Sequence, residues 1–231
     1  MGKRLKWGLT AGFLMIIGFK GPSSSTAQTN PEHSPVLMIY VRNYAGLEPD
    51  ALSEAEDVAR SIYQKAGVET RWAEIVLPKQ AGLSNSNVQI PFTKADIQLN
   101  ILPREMSVRY GLPENVTGLA PGSGPDRNMI LLFADRIEAL YLGLIKAYRT
   151  GDFDAHVSKG QILGYMIAHE LGHILLNMEE HTAHGMMCGK WSFAEFREIS
   201  QGLLLFTSDQ AELIRRNASQ RSTTPAILTS K

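Results

Sequence analysis

Five consecutive residues carry the chemistry that can be read most directly from this chain: His169-Glu170-Leu171-Gly172-His173. Residues four apart on an α-helix share a face, so His169 and His173 can aim imidazole nitrogens at one metal ion. Glu170 projects from nearly the same side and can reach a water on that ion without ligating it. Zinc lowers the pKa of such a water, and a neighbouring carboxylate takes its proton as the water attacks a carbonyl. Each residue type in this HExxH spacing therefore has a separate physical task. The surrounding run, Gln161 to about Leu176, is strongly apolar and reads as a helix, which gives the spacing its meaning.

A catalytic zinc takes three protein ligands and keeps one position open. His181 is one candidate for the third ligand. It follows a helix end suggested by Asn177, because asparagine tolerates the left-handed conformation that turns a chain back. His184 lies three residues further on, and Glu195 or Glu198 on the next helix are the carboxylate alternatives. The tight return from helix to loop favours His181. Glu195 has another occupation, as the far member of a Ser192-Phe-Ala-Glu195 capping box.

Taken together, these residues resemble a known superfamily. His169-Glu-Leu-Gly-His173, then His181, then Gly185-Met186-Met187 is similar to the metzincin zinc metalloproteases, which carry HExxHxxGxxH and a tight methionine turn beneath the metal. More narrowly, AHELGHILL-NMEEHTAHGMM resembles a group of small exported bacterial proteins with AHExGHLLLG…H…GIM. The likeness is specific over Gly164 to Trp191. It implies a Zn2+ ion on His169, His173 and His181, with Glu170 as general base. Met187 would support the site from below, with Met186 as the alternative. It also implies an edge strand at Gly118-Leu119-Ala120 that pairs with an extended peptide or protein substrate; by itself that tripeptide reads more readily as a plain turn. Two positions depart from the pattern: the metzincin glycine would fall at Leu176 and the third histidine at Glu179. With His181 as ligand the return is two residues longer, and Asn177 stands in for the glycine.

These residues must be positioned by a fold. Val36–Arg42, Val68–Ile75, Asp96–Leu102 and Met129–Ala134 read as strands, with a further strand around Val88–Phe92 after a polar loop, Pro78–Asn87. Asp50–Ala66 has helical spacing and Gly67 at the C-cap position; Asp135–Arg149 is a second helix, and Gly151–Lys159 a loop. Val116–Asp126 is rich in Gly and Pro, compatible with a short edge strand. The Ser192 capping box opens a helix to about Phe206, and Thr207–Gln210 opens a last one to about Asn217. The expected class is α+β: a mixed twisted sheet with an early packing helix, then the active-site helix, Met-turn and C-terminal helices.

The first 27 residues read as an address. Lys3, Arg4 and Lys6 precede the apolar run Trp7–Phe19, and Ser25-Thr26-Ala27 offers small residues for cleavage, the parts of a secretory signal peptide. An uncleaved membrane anchor is the alternative, and would be the chain's one route to a membrane. Residues 28–35 form a flexible leader, 36–217 a single domain, and 218–231 a flexible tail. Over all 231 residues, 23 basic residues balance 23 acidic ones, which gives no reason to expect nucleic acid as partner. Cleavage after Ala27 removes four basic residues and no acid, leaving a net charge of −4 on a secreted or periplasmic protein. The lone cysteine, Cys188, excludes an intrachain disulfide and a Cys-rich metal site, and reads as a buried inert thiol. Two further classes stay open beside the peptidase: an exported zinc-binding protein with little proteolysis, and a peptidase whose third ligand is Glu195 or Glu198.

Overall fold

Chain segments rich in β-branched and aliphatic residues pair into a five-stranded sheet: β1 (Val36–Asn43), β2 (Glu69–Glu74), β3 (Ile97–Leu102), β4 (Gly118–Leu119) and β5 (Met129–Phe133). The computed structural model describes residues 34–75, 92–93, 95–122, 124 and 127–222, and all counts refer to these. Strand order is β2-β1-β3-β5-β4. The first four are mutually parallel, and β4 runs antiparallel to β5, with Gly118 opposite Leu132. The sheet is thus mixed and mostly parallel, as the element order predicts, with β4 at one edge. On β1 the burial alternates: Leu37, Ile39 and Val41 are fully buried beneath helices, while Met38, Tyr40 and Arg42 are half-buried on the opposite face.

Six helices complete the fold: α1 (Pro49–Lys65), α2 (Arg104–Arg109), α3 (Ala134–Thr150), α4 (Lys159–Leu176), α5 (Phe193–Gln201) and α6 (Ser208–Ser222). Helix α4 is buried on every side, which explains why its sequence is apolar all round. It lies against α1 closely enough that a Cβ on Gly164 would come within 2.7 Å of the Ala55 carbonyl oxygen and Val58 Cβ. Two glycines of α4 allow that approach, Gly160 against the Glu54 side chain and Gly164 against Ala55 and Val58. The Tyr63 hydroxyl of α1 donates to the Ala168 carbonyl at 2.9 Å, and its full burial holds the phenol well above its ordinary pKa.

Several boundaries differ from the sequence reading, each for a local reason. Helix α4 begins at Lys159, because Ser158 and Gln161 form a capping box: Ser158 Oγ accepts from Gln161 N–H at 2.9 Å, and Ser158 N–H donates to Gln161 Oε1. Helix α5 stops at Gln201 rather than Phe206, since Gly202 adopts φ +70° and closes the helix with a left-handed cap. Helix α6 continues past Asn217 to Ser222, so the expected flexible tail is helical over 218–222, where Ala218 is fully buried. Pro35, assigned to the leader, is buried, and its carbonyl accepts from Glu69 N–H at 2.9 Å. The short helix α2 has no counterpart in the sequence reading. The signal segment and the 76–91 region, with the loop and nearly all of the extra strand expected there, lie outside the described residues. No helix among the described residues is long and apolar enough to cross a membrane.

Candidate metal centre

The second half of α4 presents His169 and His173 one turn apart, as the spacing requires. Each ring is fixed from behind: His169 Nδ1 lies 2.7 Å from the Met186 carbonyl, and His173 Nδ1 lies 2.9 Å from that of Met178. A carbonyl only accepts, so both Nδ1 atoms carry the proton and both Nε2 atoms present lone pairs. Those two Nε2 atoms stand 3.1 Å apart. Burial holds both rings neutral, taking His169 down to about 4 and His173 below its ordinary value. Two neutral imidazoles therefore point lone pairs at each other, an arrangement that a shared cation satisfies. Nitrogens bound at about 2.0–2.1 Å to one tetrahedral ion stand roughly 3.3 Å apart, close to the observed separation.

The chain returns past this pair because Asn177 turns it. Asn177 sits at φ 51°, ψ 42° and caps α4, with its N–H directed to the His173 and Ile174 carbonyls. His181 is brought back over the helix, its ring stacked on His169 at 5.3 Å and edge-on to His173 at 4.9 Å between centroids. Ligand atoms of His169, His173 and His181 all lie within 4.8 Å of one another. His181 is exposed, unlike the other two, so it closes the cluster from the solvent side. Gly189 leaves the space for its ring, since a Cβ there would sit 2.8 Å from His181 Cγ. Among the described residues this is the group of side chains that could hold a metal ion, and the donor set fits one.

The alternative third ligands are placed elsewhere. Glu195 accepts from Ser192 N–H at 2.8 Å and from its hydroxyl at 2.6 Å, and the Ser192 bonds hold its carboxyl below the usual range. His184 and Glu198 are exposed and outside the cluster. The exposed turn residue Glu179 lies near enough to His173 to favour its protonated form electrostatically.

Beneath the helix, residues 182–188 form a tight turn. Thr182 N–H donates to the Met187 carbonyl at 2.8 Å, Cys188 N–H to that of Gly185 at 3.0 Å, and Gly185 takes φ +82°. Met187 is fully buried, and its Sδ lies 2.6 Å from where a Cβ on Gly172 would stand. Met186 supplies the carbonyl that orients His169, so the two methionines divide the task between packing and hydrogen bonding. Cys188 is half-buried rather than inert core: its Sγ lies 3.4 Å and 3.3 Å from the Ala183 and Lys190 carbonyls, and it lines a cavity beside the histidines.

Glu170 is 6% exposed and points toward β4. Arg127 and the Ala120 amide lie near enough to favour its ionised form, but burial dominates and pushes the group up to about 8. A Cβ on Gly118 would come within 2.6 Å of Glu170 Oε1, which is why glycine occupies the first position of β4. Of the tripeptide Gly118-Leu119-Ala120, the first two residues form an edge strand abutting the carboxyl of the HExxH glutamate, and Ala120 lies just beyond it. A cavity of about 670 Å³ opens beside it, lined by His169, Glu170 and His181, by apolar Val116, Leu140, Met166, Trp191 and Phe196, and by charged Glu114, Arg136 and Lys190. Trp191 stands edge-on to His169 at 5.8 Å.

Two contributors had no sequence signal. Arg127, 9% exposed, donates through Nε to the Ala120 carbonyl at 2.7 Å, yet it follows a Gly/Pro-rich stretch that reads as an exposed loop. Gly189 clears the way for His181 only through its position in space. No protein-family model matches this chain, and no curated protein does either.

Proposed function

We propose that the protein is an exported, zinc-dependent endopeptidase of metzincin type, acting on an extended peptide or protein substrate. The observation that carries this reading is the placement of Glu170. It is a buried, non-ligating carboxyl held between the three-histidine cluster and the sheet edge. A site that only stored or structured a metal would have no use for it. A zinc ion on His169, His173 and His181 would supply Lewis acidity, polarising a carbonyl and lowering the pKa of a bound water. The double charge of such an ion would draw Glu170 down from the protonated state that burial imposes, leaving a carboxylate able to take a proton and return it to the departing amine. Strand β4 offers its outer edge for pairing with substrate backbone, and the adjacent cavity suits a large apolar side chain of that substrate. Met187 beneath Gly172 fixes the height of the helix that carries two of the imidazoles.

The test is metal content and peptide-library cleavage on the protein lacking its first 27 residues, with Glu170→Ala as control. The expected result is one zinc per chain in both forms and cleavage in the wild type alone. Zinc in both without cleavage would turn the reading to a metal-binding protein, and no zinc in either would end it.

A further inference from the structure

A buried arginine lies behind the reactive carboxyl, and its contacts join three separate parts of the fold. Arg127 Nε donates to the Ala120 carbonyl at 2.7 Å, and its Nη1 reaches the His173 carbonyl at 3.5 Å. Its own carbonyl accepts from Arg221 Nη2 of α6 at 2.7 Å, and its N–H donates to the Gly124 carbonyl at 3.3 Å. Ala120, whose carbonyl Arg127 holds, also brings its amide near the Glu170 carboxyl, and Gly118 two residues earlier abuts Glu170 Oε1 directly. A guanidinium bonds two acceptors at once in a fixed plane, so it sets the distance between them. Here the two acceptors are the last residue of the sheet-edge segment and the backbone of a histidine in the cluster. Burying a charge this deeply is costly unless its partners satisfy it, which argues that the link between these carbonyls is a built feature.

We infer that Arg127 is a positioning residue: it clamps Ala120 to the backbone of α4 and thereby aims the Glu170 carboxyl at the reacting atoms. The inference rests on the peptidase reading for its catalytic consequence, but the clamp itself can be observed without cleavage. Arg127 does not line the cavity and β4 stays paired with β5 without it, so its loss should leave zinc stoichiometry and the seating of an extended peptide largely intact. What it changes is the alignment of the base.

The experiment compares Arg127→Met and Arg127→Lys with wild type in two ways. Steady-state kinetics on the zinc-loaded chain should show kcat lower by about 10- to 100-fold in Arg127→Met, with KM within about twofold, and a partial recovery in Arg127→Lys, which keeps the charge but not the two-pronged geometry. Amide exchange should speed up at Ala120 by about tenfold or more in Arg127→Met, with Val68, bonded far away to the Tyr63 carbonyl, unchanged. An unaltered kcat, or a raised KM with kcat kept, would overturn the inference. If the wild type cleaves nothing, the peptidase reading fails by itself and the exchange arm decides: an accelerated Ala120 amide sustains the clamp, an unchanged one removes it. If Arg127→Met does not fold, Arg127→Lys carries both readouts, and wild-type values in each refute the proposal.

Discussion

Replacing Glu170 by glutamine should stabilise the metal-free protein, and by an amount that grows with pH. The carboxyl has an ordinary pKa of 4.5 in the unfolded chain and is pushed up to about 8 in the fold, mainly by burial. Below pH 4.5 both states hold the proton and the group costs nothing. As pH rises the unfolded chain releases its proton while the folded chain keeps it, so stability falls until the folded group also ionises near pH 8. The gap of about 3.5 pH units corresponds to roughly 5 kcal/mol at about 1.36 kcal/mol per unit. Water entry and local relaxation reduce that, so about 2–5 kcal/mol is the expected span. Urea titrations of chelator-treated wild type and Glu170→Gln at pH 5, 6.5 and 8.5 measure it. Histidine titrations are common to both proteins and cancel in the difference. The difference should widen steadily across this range; a constant offset would refute the claim that this carboxyl is held protonated by burial. Zinc should shrink the gap, because a dication favours the ionised carboxylate.

Three further outcomes are expected. Gly172→Ala should lower stability by about 1–3 kcal/mol in thermal unfolding despite alanine's better helix propensity, because the new Cβ meets Met187 Sδ at 2.6 Å and the Phe206 ring at 3.1 Å; an unchanged melting temperature would mean that the turn yields freely. Gly189→Ala should weaken zinc affinity by about 10- to 100-fold through displacement of the His181 ring, measured by competition with a chelating dye. Glu195→Ala should retain full zinc stoichiometry and lose about 0.5–2 kcal/mol of stability through the broken capping box, whereas His181→Ala should lose stoichiometric metal. The reverse pattern would assign the third ligand to Glu195.

Features that depend on neighbours along the chain were legible in the sequence. The HExxH helix, the left-handed turn at Asn177 and the Ser192 capping box are set within a few residues, and the structure has each of them. The Ser158–Gln161 box has the same local signature, S-x-x-Q, but the apolar run that marks the helix begins only at Gln161, three residues after Ser158. Helix α2 spans a single turn and a half after Pro103, too short for periodicity to register. The third histidine was the stronger of several candidates on sequence grounds, because choosing among them requires the path of the return loop through space. Arg127 was not legible at all. Its role arises from contacts with residues 120, 173 and 221, and a lone arginine beside glycines and a proline resembles any surface residue.

The last described helix returns to the first described strand. Ser222 Oγ at the end of α6 donates to the Val36 carbonyl at the start of β1, and Asn217 Nδ2 donates to the Leu175 carbonyl in the last turn of α4 at 2.6 Å. Among the described residues, the first strand is therefore latched by the last helix. A chain synthesised in order can form its sheet and its histidine-bearing helix early, with Asn177 capping the His173 and Ile174 carbonyls, while the Leu175 carbonyl waits for Asn217 of α6. The helix that carries His169 and His173 thus draws part of its support from a side chain 42 positions further along the chain.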